Sequence, residues 1–179
     1  RLIAYKNIGH PTDKVELIVL GGTWSFYPKN YQRWFIKRAF EAMNDFNYRR
    51  SKYLYSSKEF KERKTTWEDL LIVHKKNEKA YSRCVGLVIE TRPDFINEKE
   101  VLDLRKLGCT KIQIGVQSLD DAILDLNKRG HKVEATKKAF EILRSAGFKI
   151  HAHWMPNLYG STPKKDIEDF KKLFSDPAF

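Results

Sequence analysis

Four short apolar runs, separated by longer segments with helical spacing, dominate the pattern of hydrophobic and polar positions. Each run is rich in branched side chains and is followed by glycine or polar residues, which is typical of buried strands. We therefore predict strands at 15–20, 84–90, 111–116 and 148–154. Apolar residues spaced three or four apart predict helices between and after them, at 28–46, 67–80, 97–107, 119–128, 132–145 and 163–174.

The alternation of strands and helices predicts an α/β fold with a parallel sheet. The first three runs are almost continuously apolar, so we expect those strands to be covered on both faces. The fourth run alternates His151 and His153 with apolar residues, which gives that strand one polar face. Asn97 and Gly108 are suited to begin and end the helix between them.

Polar or glycine residues follow all four predicted strands, and in parallel folds these ends form the site. The first strand ends at Gly21, Gly22 and Thr23, and the third ends at Gln117 and Ser118. Taken alone, the glycine pair is more simply a tight turn. Four such ends together favour a functional site.

Glu90 ends the second strand, after five apolar or glycine residues, and a carboxylate there needs a partner. The sequence leaves three candidates open: Arg92, Arg129, or an amine or ribose of a ligand. An ordinary structural ion pair between Glu90 and an arginine is the simplest alternative.

Composition adds a strong positive charge: 34 lysines and arginines against 23 acidic residues give a net charge of +11. Such an excess favours a polyanionic partner, above all nucleic acid. The segment 48–66 alone carries +5, with tyrosines interleaved, and is predicted as a basic connection. Arg49, Arg50 and Lys52 are its candidate RNA-binding residues, and a merely solvated loop is an equal alternative.

Several classes of protein are disfavoured by the sequence. Phosphate-binding glycine loops and a hydrolase nucleophile elbow are missing from it. No apolar run is long enough for a membrane span, and no secretory signal is recognisable, so we expect a cytoplasmic location and no membrane partner. Cys84 and Cys109 lack metal-ligand spacing. His151 and His153 share a strand face, but no third metal ligand is evident, so no metal residues are assigned.

The strand ends nevertheless resemble the radical S-adenosylmethionine (SAM) superfamily, and within it the family of Elongator catalytic subunits. The resemblance spans most of the chain in family order, and the set of motifs is specific although single motifs are not. It is carried by Gly9-His10-Pro11, Asp13 to Thr23, Ile89 to Asp94, Ile114 to Ser118, Asn127 to His131 and His151 to Pro156.

The resemblance implies a partial parallel (β/α)6 barrel, of which this chain would supply about four strands. It implies SAM, a [4Fe–4S] cluster and acetyl-CoA as cofactors, and addition of a carboxymethyl-type group at C5 of uridine 34 in tRNA. Partners would be tRNA and either other Elongator subunits or a second copy. It further implies that SAM is bound by Gly21, Gly22, Thr23, Glu90, Gln117, Ser118, Arg129 and His153, while catalytic residues stay unassigned.

The chain departs from the family pattern at the cluster, which needs three closely spaced cysteine thiolates. Cys84 and Cys109 precede or begin strands, at the other end of the predicted sheet, and are expected to be buried and inert. We therefore expect residues 1–179 to be one domain, the central part of a radical SAM barrel. The cluster loop and the acetyltransferase domain would lie outside it, and Asn157 stands where relatives often have aspartate.

Two other functions stay open at this point. A coproporphyrinogen oxidase-like radical SAM enzyme would act on a small molecule, for which the +11 charge is not needed. A basic, non-catalytic α/β module that binds RNA would leave Glu90 and Gln117 as structural residues.

Overall fold

The computed structural model describes residues 1–46 and 64–179. Four strands form one sheet in the order β1-β2-β3-β4, so the strands follow one another across the sheet as they do along the chain. Strand β2 pairs with β3 in parallel, and β3 pairs with β4 in parallel. They are β1 (Lys14–Val19), β2 (Arg83–Thr91), β3 (Lys111–Gln117) and β4 (Lys149–Trp154).

The described part of the chain contains seven α-helices, and six of them match the predicted ones. The additional helix is α1 (Leu2–Asn7), which buries no residue and so leaves no clear amphipathic pattern. The others are α2 (Lys29–Asn44), α3 (Trp67–Asn77), α4 (Glu98–Lys106), α5 (Asp121–Leu126), α6 (Val133–Ser145) and α7 (Pro163–Ser175).

The chain divides into two compact units, and the single-domain expectation stays a prediction. The first unit comprises residues 1–18, 27–87 and 106–108. In it, α2 and α3 bury Ile36, Phe40, Leu70 and Val73. The side chain of Asn44 donates a hydrogen bond to the carbonyl of Val73 at 2.9 Å, which joins the two helices.

The second unit comprises residues 19–26, 88–105 and 109–179. Its core is formed by the apolar bodies of β2 and β3 together with side chains of α4, α5 and α6. As the sequence predicts, the Asn97 side chain accepts from the backbone N–H of Glu100 at 2.9 Å, and this bond begins α4.

The prediction that the first three strands are covered on both faces is wrong for β1. Residues of β1 alternate between exposed and half-buried, whereas six of the seven residues of β3 are buried. The difference follows from position, because β1 is an edge strand and β3 lies inside the sheet.

Candidate functional site

A cavity of about 260 Å³ lies in the second unit, where β2 and β3 end. The loops after β1 and α5 complete its wall. The lining contains five of the eight residues predicted to bind a cofactor. It consists of Gly22, Thr23, Glu90, Thr91, Arg92, Gly115, Gln117, Lys128 and Arg129.

The loop after β1 follows a path that suits glycine. Gly21 and Gly22 have φ of +109° and +144°, a backbone region that other residues rarely adopt. This path lets the backbone N–H of Gly21 donate to Glu90 Oε2 at 3.3 Å. Farther along, the hydroxyls of Ser25 and Thr91 bond at 2.8 Å and fix the loop to the end of β2.

Glu90 is held on both carboxylate oxygens. Gly21 donates to one, and Nδ1 of His153 lies 3.3 Å from the other. Nε2 of the same imidazole lies 2.9 Å from Oε1 of Gln113 on β3. A chain of polar groups therefore crosses three neighbouring strands.

The partners of His153 restrict the proton positions of the ring. With the Gln113 oxygen facing Nε2, only a doubly protonated ring donates to both neighbours. With the amide turned round, a neutral ring protonated at Nδ1 satisfies both contacts. In either arrangement a proton on Nδ1 is required for the ring to donate to Glu90.

Gln117 combines burial with an unused acceptor. The residue is 7% exposed, and its side-chain Oε1 is buried without a hydrogen-bond partner. Such an atom inside a cavity indicates a missing donor, because buried acceptors are almost always bonded. Gly115 makes room for it, since a Cβ there would lie only 3.0 Å from Gln117 Nε2.

The loop after α5 brings two cations to the cavity. Lys128 has φ of +52°, and Nε of Arg129 is buried without a partner. The preceding Asn127 fixes the loop, because its amide donates to the carbonyl of Tyr159 at 2.9 Å and accepts from the N–H of Tyr159 at 3.2 Å.

The arginine partner proposed for Glu90 is not observed. Arg92 instead binds Asp94 through two bonds, of 2.9 and 2.7 Å. Within the described residues, Glu90 makes no ion pair with Arg129 either. The Glu90–arginine alternative is therefore wrong, and the partner of Glu90 is an imidazole that the sequence argument did not consider.

Three of the eight predicted cofactor-binding residues do not line the cavity. Gly21 precedes the lining residue Gly22 and donates its backbone N–H to Glu90. His153 contacts the Glu90 carboxylate through Nδ1 instead of lining the cavity itself. The Ser118 hydroxyl donates to Asp169 on α7 at 2.9 Å. Arg49, Arg50 and Lys52 lie outside the described residues. Their predicted role in RNA binding stays a prediction.

Sequence reasoning missed Gln113, Lys128 and Asp169. Gln113 offers a usable signal, because an uncharged polar residue between Ile112 and Ile114 breaks an apolar strand in register with His151. Lys128 and Asp169 offer none, since a lysine in a loop and an aspartate on a helix are common at surfaces.

The two cysteines are unsuited to hold a cluster. Burial raises the pKa of Cys109 to about 12 and raises the pKa of Cys84 as well. Both thiols stay protonated at neutral pH, whereas cluster ligation needs thiolates. No step involving a cluster is therefore assigned to this chain.

Over residues 1–46 and 64–179, no three or more His, Cys, Asp or Glu side chains form a group that could hold a metal ion. In the same ranges, none of the helices has the length and apolar character needed to cross a membrane.

The parallel sheet, with its polar strand ends, agrees with the protein class that the sequence matches. The chain matches the radical SAM superfamily over residues 5–174 and belongs to it. A bacterial coproporphyrinogen III oxidase, HemN of Escherichia coli, shares this fold with a TM-score of 0.55 at 15% identity, covering 97% of this chain and 43% of that one.

Nearer relatives are more specific. The chain is 44% identical to the tRNA uridine(34) acetyltransferase of Methanocaldococcus infernus, and 35% identical to human Elongator complex protein 3. Both matches cover all of this chain, but only 30% and 29% of those proteins. The structure of M. infernus Elp3 with residues 1–46 deleted gives a TM-score of 0.84 at 42% identity, covering 99% of this chain and 38% of that one.

Proposed function

We propose that this chain is the SAM-binding core of an enzyme that modifies uridine 34 of tRNA. The observation that carries the proposal is the cavity at the strand ends, where unpartnered Gln117 Oε1 and Arg129 Nε lie near a fixed Glu90 carboxylate. The names of the relatives that match all of this chain supply the substrate class.

The lining fits SAM by charge, and its volume suits part of the ligand. Lys128 and Arg129 supply positive charge for the carboxylate of the methionyl group, while Glu90 can accept from its ammonium group or from ribose hydroxyls. Typical ligand pockets measure roughly 300–1,000 Å³, so a cavity of about 260 Å³ holds part of such a ligand.

Reductive cleavage of bound SAM supplies the radical chemistry in this superfamily. The residues of this chain would bind and orient the cofactor and exclude water around it. Backbone groups of Gly21 and Gly22 can approach the ligand closely, and Gln117 would add a hydrogen bond. We assign Thr23 to the same wall.

The rest of the proposed enzyme lies outside these residues. A [4Fe–4S] cluster and acetyl-CoA would be held elsewhere, and tRNA would be bound in part by Arg49, Arg50 and Lys52. A cytoplasmic location, and assembly with Elongator subunits or a second copy, belong to the same proposal.

SAM cleavage by the full-length protein, reconstituted anaerobically, tests the cofactor site. Glu90→Ala and Gln117→Ala each remove a hydrogen bond in a charged site, which costs about 1.5–3 kcal/mol, or roughly 10- to 150-fold in cleavage rate. Glu78→Ala, which removes an exposed carboxylate of the first unit, is the control and should cleave SAM normally.

Iron–sulfur absorbance must be equal in all variants, so that a loss is credited to the site. Normal cleavage by both site variants would refute the assignment. A wild-type protein that takes up no cluster would support the non-catalytic RNA-binding module instead.

Filter binding of tRNA over a salt series tests the RNA proposal. Reversing Arg49, Arg50 and Lys52 to Glu should weaken tRNA binding. It should also reduce the slope of log affinity against log salt concentration, because fewer counterions are released on binding when phosphate contacts are lost. Reversal of Lys75, Lys76 and Lys79 makes the same change in net charge and should have a smaller effect. Equal losses would mean that only overall charge matters, and circular dichroism must first show a native fold.

A further inference from the structure

The backbone at Gln117 forms an unusually tight turn. The N–H of Ser118 donates to the carbonyl of Val116, two residues back, at 2.9 Å. With φ of +69° at Gln117, this is the γ-turn of positive φ, which is rare and strained for a residue with a side chain. The strain lies at a residue that lines the cavity.

The turn determines where the Gln117 side chain lies. At the same place the register between β3 and β4 shifts, so that Gly115 pairs with His153 and Gln117 with Trp154. The carboxamide then lies over Gly115, with Oε1 buried and unpartnered. Irregularities of this kind often direct a side chain into a site.

A buried carboxylate on α7 holds the residues that follow the turn. Oδ2 of Asp169 accepts from the Ser118 hydroxyl at 2.9 Å and from the backbone N–H of Leu119 at 3.2 Å. Lys172 donates to its other oxygen at 3.0 Å. Asp169 is only 7% exposed, and its bonds to Ser118 and Leu119 are buried.

Two further bonds fix the same turn. The N–H of Met155 donates to the Gln117 carbonyl at 3.1 Å, and the N–H of Asp120 donates to the Ser118 hydroxyl at 3.1 Å. A strained backbone conformation persists only where its surroundings hold it. Asp169 supplies two of the bonds that hold the turn, from a separate element, α7.

We propose that Asp169 is a positioning residue of the cavity: it maintains the strained turn, and the turn holds the Gln117 carboxamide toward the ligand. This inference rests on the proposed function, in which the ligand is SAM. The alternative is that Asp169 only attaches α7 to β3 and contributes to stability alone.

A double-mutant cycle on SAM affinity separates the two. In the reconstituted full-length protein, Asp169→Ala and Gln117→Ala should each weaken SAM binding about tenfold. If Asp169 acts through Gln117, the double variant should also lose about tenfold, because the second change removes nothing further. Isothermal titration under anaerobic conditions measures the four affinities without relying on turnover.

Two other variants keep this test valid if Asp169→Ala folds poorly. Asp169→Asn retains an acceptor for Ser118 and should recover most of the affinity, while Ser118→Ala should lose part of it. Asp166→Ala is the matched control: this carboxylate, three residues earlier on α7, binds the N–H of Asn157 and the Ser161 hydroxyl instead. Any loss of stability in Asp166→Ala should simply add to that of Gln117→Ala, without an interaction between the two changes.

The strained turn has its own test. Gln117→Gly and Gln117→Ala both remove the carboxamide, but only glycine adopts positive φ without strain. Thermal unfolding should therefore show a higher midpoint for the glycine variant, while both lose SAM affinity equally.

The results distinguish this inference from the proposed function. Multiplying losses in the cycle, or normal SAM affinity in Asp169→Ala, would overturn the inference and leave the function intact. A cluster-loaded wild-type protein that does not bind SAM would overturn both. Equal midpoints for the two Gln117 variants would refute the strained turn.

Discussion

The cavity at the strand ends of the second unit and a cavity beside His74 in the first unit differ in how their polar atoms are used. The second unit's cavity measures about 260 Å³, and the one beside His74 about 440 Å³. In the smaller cavity, Gln117 and Arg129 each have a buried side-chain atom without a partner. Two non-glycine residues of its lining, Gln117 and Lys128, also have positive φ.

The cavity beside His74 is larger, and Nε2 of His74 is buried there without a hydrogen-bond partner, whereas Asn77 in the same lining is fully bonded within the first unit. The Asn77 amide donates to Asn44 at 2.7 Å and to the Ser82 carbonyl at 3.1 Å, and it accepts from the N–H of Cys84 at 2.7 Å. The imidazole of His74 packs on Phe40 with a centroid distance of 4.4 Å, and burial lowers its pKa.

Under the proposed function the smaller cavity is the ligand site, so volume alone does not predict the site in this chain. A ligand site is better indicated by polar atoms that lack partners and by backbone strain that packing does not require. Both coincide at Gln117, a non-glycine residue at the end of β3, whereas beside His74 the positive φ belongs to a glycine, Gly108. Changes there should affect binding, whereas changes beside His74 should affect stability.

The largest effect is expected at His153. His153→Ala frees one oxygen of Glu90, so we expect SAM affinity to fall by about tenfold or more, as for other bonds to charged groups. His153→Asn keeps a donor near Nδ1 and should recover most of the affinity, whereas His153→Gln places its amide near Gln113 and should not. Isothermal titration of the reconstituted protein measures all three.

His151→Ala is the matched control, because this neighbouring ring contacts His153 edge-on at 5.3 Å and makes no bond to Glu90. His74→Ala extends the comparison to the first unit and should leave SAM affinity unchanged. If His74→Ala weakened SAM binding as much as His153→Ala, the contrast between the cavities would be lost.

The extent to which the sequence predicts this site follows from the range of the interactions. Strands, helices and their polar ends depend on local patterns, and these placed Glu90 and Gln117 at one edge of the sheet. Arg129 was assigned to the site only through the family resemblance. The partners of Glu90 and Ser118 depend on packing between distant segments. His153 is 63 residues from Glu90 and Asp169 is 51 from Ser118, and no local pattern links such pairs.

The exposure of β1 could not be predicted from the sequence either. An apolar run such as Val15 to Leu20 has the same composition in a central strand as in an edge strand. Only the strand order distinguishes the two cases. The positive φ of Gln117 and Lys128 is likewise invisible, because neither residue type favours that region.

A smaller effect, on stability alone, is expected at Gly108. It has φ of +89°, and a Cβ there would lie 3.3 Å from Cε1 of His74. Gly108→Ala should therefore lower the free energy of unfolding by about 1–2 kcal/mol. Urea unfolding measures this free energy. The SAM affinity of the variant, measured where it is fully folded, should not change. A loss of affinity without a loss of stability would contradict the comparison.

The smallest effect is expected from pH, and it should arise in both units. Burial lowers the pKa of His74 in the first unit and of His131 in the second, relative to the usual 6.5. Below pH 6.5 the unfolded chain takes up protons at these sites that the folded chain does not bind. Their contribution to stability is therefore complete above pH 6.5 and is lost as the pH falls toward the folded-state pKa values.

Urea midpoints between pH 7.5 and 5.5 should decline, and His74→Gln and His131→Gln should each flatten part of that decline. Stability that rises on acidification, or equal slopes in wild type and in both variants, would show that these rings are protonated in the folded state.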